Sequence, residues 1–212
     1  SAVRSLVAVE EGAVGPDKDC AYEGPFLKAI AGIPVSMEGK TAACAHFSQV
    51  GNIAAACADL WSNESVQNVK LLAGMAPTVS LEQLVYDVRL MNGAAAGGCD
   101  CALAYRDLLV ESDVHRDPQA FVLAPRQVIA LSKAMVQAET HLEAALRGAS
   151  TALDLIETAR DAGELVIDER EAVWVDRFRD SLADIPATED AFVARMQPLL
   201  DTNTVLLEEY GL

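Results

Sequence analysis

Gly15-Pro16-Asp17-Lys18-Asp19-Cys20-Ala21-Tyr22-Glu23-Gly24-Pro25 joins an apolar run, Leu6-Val7-Ala8-Val9, to a second apolar segment that Pro25 opens. Leu6 to Val9 reads as a buried strand. Pro25 to Ala31 reads as a short helix, with Pro25 in the first turn, where a missing N–H costs nothing, and Gly32 past the end. Strand, loop and helix in this order form the repeating unit of α/β folds, which keep their chemistry on the loops that follow strand carboxyl ends. The loop also sets Cys20 among charged groups. Most cysteines are buried and inert, so a thiol placed this way is a candidate ligand or nucleophile, with a packed loop thiol as the alternative.

The rhythm continues downstream. Ile33 to Met37 reads as the next strand, Asn52 can cap a helix through Trp61, and Val66 to Leu72 forms a third strand that ends at Gly74-Met75-Ala76-Pro77. Ser80 and Gln83 have the spacing of a capping box, opening a helix through Met91 whose Leu84, Val88 and Met91 share one face. Such alternation predicts parallel strands joined by right-handed crossovers. Gly93-Ala94-Ala95-Ala96-Gly97-Gly98 then reads as a helix end and loop. Pro125 introduces a long helical pattern in which Val128, Leu131, Met135, Ala138, Leu142 and Leu146 recur at threes and fours. Asp168 and Glu171 mark a further helix start, with Val175, Phe178 and Leu182 on the apolar side. The expectation is therefore an α/β chain: βα units over residues 1–98 and a mainly helical extension over 99–212.

Composition narrows the class. Hydrophobic residues make up 51% and charged residues 23% of the 212, which suits a globular protein with a sizeable core. No apolar run is long enough to span a membrane, and no basic leader precedes an apolar segment. Five cysteines at irregular spacing suggest no disulfide framework and fit a reducing cytoplasm. The net charge of −16 argues against nucleic acid, because phosphate binding needs clustered Lys and Arg. Residues 111–212 carry 20 of the 32 acids against 9 bases, so the helical half is the more acidic. That surface is either solubilising or a docking face for a basic partner.

The run GPDKDCAYEGPFLKAIAGIPVSMEGKTAACAHFSQVGNIAAACADLWSNESVQNVKLLAGMAP, continuing through LEQLVYDVRLMN and more loosely through DLLVESDVHRDPQAFVLAP, closely resembles the zinc-bearing subunit of methanol–cobalamin methyltransferases. The resemblance implies a (β/α)8 TIM-type barrel whose mouth holds zinc on one glutamate and two cysteines. It makes Cys20, in KDCAYEGP, the last of those ligands in chain order. A whole barrel needs about 200 to 250 residues, and this chain begins at Ser1 almost inside its first candidate strand. It is therefore read as the carboxyl-terminal part of a larger protein, the other two ligands lying upstream of Ser1.

The resemblance further implies methanol as substrate, zinc as cofactor, and a partner protein that brings a corrinoid. The partner would dock over loops near Tyr22, Lys40 and Trp61; a homodimer of the zinc subunit is also expected. Two other readings stay open: a corrinoid methyltransferase for another small methyl donor, and a non-catalytic chain that keeps only partner-binding surfaces. Glu38 follows the Ile33–Met37 strand and so should face the barrel mouth, where a carboxyl can bond a substrate hydroxyl or support a ligand; an ion pair with Lys40 is its alternative. Glu23 and Asp19 have similar possibilities beside Cys20, with Glu23 the second catalytic candidate. Met37 and Met75 are candidates for an apolar methanol pocket, although core packing explains them equally well. Cys44 with His46, and Cys99 with Cys101, have ligand-like spacing but lack further ligands nearby. Cys57 fits close helix packing, and His115 and His141 read as isolated surface residues.

Overall fold

The computed structural model describes residues 1–12, 23–33, 89–201 and 205–210, and all regular structure among these residues is helical. Ala2–Glu10 forms α1 and Gly24–Ala31 forms α2. Residues 89–96 are helical, and α3 (Cys99–Asp113), α4 (Pro118–Leu123) and α5 (Pro125–Met135) follow. The chain continues into α6 (His141–Asp161), α7 (Glu169–Ala183) and α8 (Glu189–Met196), with 3-10 turns at Gln197–Leu199 and Leu207–Tyr210. No described helix is long and apolar enough to cross a membrane.

The first expected strand is a helix. Leu6 to Val9 lies inside α1, whose ends are set by Ser5 N–H donating to the Ser1 carbonyl at 3.1 Å and Glu11 N–H to the Val7 carbonyl at 3.0 Å. Four apolar residues in a row fit a buried strand and a buried helix turn equally well, so periodicity cannot separate the two. Here α1 lies against α2 and α6, and burial is spread over the half-buried Val3, Leu6, Val7 and Val9. Cys20 consequently does not follow a strand formed by Leu6 to Val9. The Val66–Leu72 strand lies outside the described residues, as does all of the Ile33–Met37 strand except Ile33.

Elsewhere the local chemistry is as expected. Helix α2 has proline in its first turn and ends on Gly32 at φ 64°, a left-handed conformation that a side chain resists. Residues 89–96 are helical five residues past Met91, where the sequence ended the helix, and the helix stops within the glycine-rich segment, with Gly97 N–H on the Gly93 carbonyl at 3.0 Å and Gly98 at φ 102°. Asp168 caps α7 by accepting from Arg170 N–H at 2.8 Å.

The long pattern after Pro125 is two helices. Thr140 caps α6 by accepting from Glu143 N–H at 3.2 Å, while the Glu143 carboxylate reaches back to the Glu139 N–H at 2.7 Å. This satisfies amides that would be orphaned at a helix start and favours a new helix over continuation of α5.

Helix α6 is the spine, in contact with α1, α4, α5 and α7. Helix α5 buries Val128, Leu131 and Met135 between α6 and α2, where Leu27 is also buried. Gly148 of α6 lets the Met135 side chain approach: a Cβ there would stand 3.1 Å from Met135 Cγ. A second cluster gathers Val114, Phe121, Ala124, Ala159 and Leu165 at the other end of α6. Helix α7 buries Val175, and Leu182 is half-buried, whereas Phe178 is 52% exposed and leaves the expected apolar side.

Candidate functional site

Of the residues singled out in the sequence, Glu23 can be placed. Cys20, Glu38, Met37 and Met75 lie outside the described residues, together with Asp19, Tyr22, Lys40, Cys44, His46, Cys57 and Trp61. Glu23 heads α2, yet its carboxylate caps none of that helix's amides. It turns to α1 instead, accepting a hydrogen bond from the Ser5 hydroxyl and standing 3.6 Å from the Arg4 guanidinium. The Glu23 side chain is only 16% exposed, against 82% for Arg4, so the buried hydroxyl contact matters more than the solvent-facing ion pair. The Ser5–Glu23 bond thus ties the middle of α1 to the start of α2. In the sequence Glu23 stands three residues after Cys20.

Cys99 and Cys101 are free and exposed at the start of α3. Among the described residues no three His, Cys, Asp or Glu side chains converge as a metal site, so this pair has no further ligand there. Gly97 packs tightly against Cys101, since a Cβ at Gly97 would lie 3.1 Å from the Cys101 Sγ.

His115 and His141 are exposed, as expected, but not isolated. His115, just beyond α3, has Nδ1 2.8 Å from the Glu164 carbonyl oxygen and Nε2 3.2 Å from a Glu111 carboxylate oxygen. The backbone bond to Glu164 and, secondarily, the Glu111 carboxylate raise its pKa above 6.5, because the protonated ring can donate from both nitrogens. The ring stands at a cleft of about 350 Å³ with Val110, Phe121 and Ala124 among its apolar lining and Arg106, Arg126 and Glu111 among its charged lining. Glu111, four residues before His115, was the sequence signal for this pairing. His141 stands 3.5 Å from Glu10 of α1.

The family model for the methanol-cobalamin methyltransferase B subunit matches residues 1–211. The chain belongs to this family. It is 39% identical over 195 residues to a methanol–corrinoid protein co-methyltransferase of Methanosarcina barkeri, a match that covers 91% of the chain and 41% of that relative. Among solved structures, a chain of the crystal structure of the methanol:cobalamin methyltransferase complex MtaBC from the same organism superposes with a TM-score of 0.76. It shares 36% identity with this B-subunit family member over all of the present chain and 46% of its own length. The chain therefore spans less than half the length of these relatives.

Proposed function

We propose that the complete polypeptide activates methanol at zinc and transfers the methyl group to the Co(I) corrinoid of a partner protein. The observation that carries this reading is the family match along residues 1–211, with 39% identity to a named methanol–corrinoid protein co-methyltransferase. In this reading the polypeptide is a TIM-type (β/α)8 barrel enzyme of the cytoplasm. Residues 1–98 supply carboxyl-terminal βα units, 99–212 a helical extension packed on them, and two copies form a homodimer.

Cys20 is the residue of this chain that would hold zinc, the other ligands coming from outside residues 1–212. A thiolate suits this borderline-soft ion, and the described residues offer no competing three-ligand cluster. When bound, zinc would take up the negative charge that develops on the methanol oxygen as its bond to carbon breaks, which methanol otherwise resists because hydroxide is a poor leaving group. Glu38 would bond the substrate hydroxyl, and Met37 and Met75 would exclude water around the methyl group. The Ser5 and Arg4 contacts of Glu23 favour a positioning role for it over direct contact with substrate.

The test is Cys20→Ser in the complete protein, which replaces a thiolate with a weak neutral ligand. Bound zinc, measured by atomic emission, and methyl transfer from methanol to a reduced corrinoid protein should both fall by at least ~10-fold, as expected for loss of a direct ligand. Full zinc content with normal turnover removes Cys20 from the site.

A further inference from the structure

Ser5 is a hydroxyl on the apolar helix α1, and it is buried, with 9% of its surface exposed. A buried hydroxyl needs a partner, and Ser5 finds one across the helix pair by donating to the Glu23 carboxylate. A hydrogen bond to a charged acceptor is roughly twice as strong as a neutral one. Glu23 is also held through its main chain. Its carbonyl oxygen accepts from Phe26 N–H at 2.9 Å and from Leu27 N–H at 3.1 Å, and Gly24, Pro25 and Leu27 behind it are buried. With its side chain on α1 and its carbonyl on α2, Glu23 is the fixed point at which the polypeptide enters α2. Burial of this contact can only deepen as more of the polypeptide folds around it.

Cys20 comes three residues before that point. Consecutive Cα atoms are about 3.8 Å apart, so Cys20 and Glu23 lie within about 11 Å of each other whatever path the chain takes between them. A metal ligand works only when held to within about 0.5 Å of its place, and residues that orient a ligand without touching the metal contribute about 10- to 100-fold to affinity. We propose that Ser5 is a positioning residue for zinc: by holding Glu23, it fixes the anchor from which the chain reaches Cys20 and presents its thiolate to the metal. Ser5 acts through Glu23 and not on the metal itself. A hydrogen bond suits this task better than an apolar contact, because it fixes direction while apolar burial does not. Arg4, 82% exposed beside the same carboxylate, adds little.

This inference rests on the reading of Cys20 as a zinc ligand, and the experiment separates the two. In the complete protein, zinc affinity is measured by competition with a chromophoric chelator for Ser5→Ala, Glu23→Ala, their double variant, Glu23→Gln and Cys20→Ser. Circular dichroism checks that each is folded. Ser5→Ala and Glu23→Ala should each raise the zinc dissociation constant about 10-fold, and the double variant should bind no more weakly than either, because one bond is lost in all three. Glu23→Gln keeps an acceptor for the Ser5 hydroxyl and should bind zinc like the unaltered protein. With cobalt(II) in place of zinc, the thiolate-to-metal charge-transfer absorption should shift in Ser5→Ala, a change that lost stability alone does not produce. Should Ser5→Ala not fold, Glu23→Ala against Glu23→Gln carries the same test. Unaltered affinity and absorption in Ser5→Ala and Glu23→Ala, with zinc lost in Cys20→Ser, overturn the positioning role and leave the ligand standing. Equal loss in Glu23→Gln and Glu23→Ala places the effect on charge and not on the Ser5 bond, and likewise overturns it. Zinc retained in full by Cys20→Ser sinks both.

Discussion

On one side of α6, Gly148 lies against Met135, and α5 brings the buried Val128 and Leu131 to the same seam. On the other side, Arg179 of α7 donates to Asp154 at 2.7 Å and to Glu157, both on α6. The first junction rests on area withdrawn from water, the second largely on charge at a solvent-facing edge. Their responses to solution conditions should therefore separate. Apolar burial ignores moderate salt and has no titrating group, whereas an exposed ion pair is screened within about 10 Å at 0.1 M salt.

The sharpest way to break this contrast is Leu131→Ala, which leaves a cavity where a 3% exposed side chain stood. A loss of about 2–5 kcal/mol is expected in urea unfolding, with an unchanged denaturant slope and little dependence on salt. A loss under about 1 kcal/mol means that the α5–α6 seam collapses around the cavity and is less closely packed than described.

A smaller and more local effect is expected from Arg179→Ala. The Glu157 carboxyl is held below the usual carboxylate range chiefly by its hydrogen bond to Arg179. A carboxylate with a lowered folded pKa contributes stability above its unfolded pKa and loses it as pH falls through the folded value. The protection of amides in residues 169–183, taken relative to their intrinsic exchange rate at each pH, should accordingly fall in the variant, and in the unaltered protein at low pH or high salt, while protection in α5 stays unchanged. An equal loss of protection in α5 and α7 would show that the two junctions are one cooperative unit.

The smallest effect is expected at His115, which is held by Glu164 and Glu111 yet remains largely solvent-exposed. Its raised pKa has the opposite sign. Its contribution is complete below 6.5, the ordinary histidine value, and is lost as pH rises through the folded pKa. An NMR titration should place His115 above 6.5, and His115→Ala should remove a slight mildly-acid stabilisation of the 164–166 turn. A titration at or below 6.5 removes this clip.

How far the sequence was legible depended on whether a local rule was decisive. Pro25 and Gly32 mark the two ends of α2, and Asp168 opens α7, because proline, left-handed glycine and a side-chain cap each act within a few residues. The break between α5 and α6 was equally local, written in Thr140 and Glu143, but the threes-and-fours recurrence from Val128 to Leu146 runs through it. Leu6 to Val9 could not be decided locally: what makes it helical is packing against α2 and α6, the latter far along the chain. At the candidate site, residue type said that Glu23 could be catalytic; only the placement of Ser5 and Arg4 reveals a carboxylate already engaged. Spacing placed Phe178 on the apolar side of α7, although the helix meets α6 through Val175 and Arg179 and leaves the ring outside.

The start of α6 has a temporal consequence. Glu10 at the end of α1 reaches His141, and Glu189 at the start of α8 accepts from the Leu142 N–H at 3.0 Å, so three distant segments are fastened at one helix terminus. On a ribosome α1 emerges before α6, so its anchor there is made only after the intervening chain, and α8 follows later still. Until α6 has left the exit tunnel, the apolar surface of α1 has, among the described helices, only α2 to pack against, so this corner of the molecule closes late in synthesis.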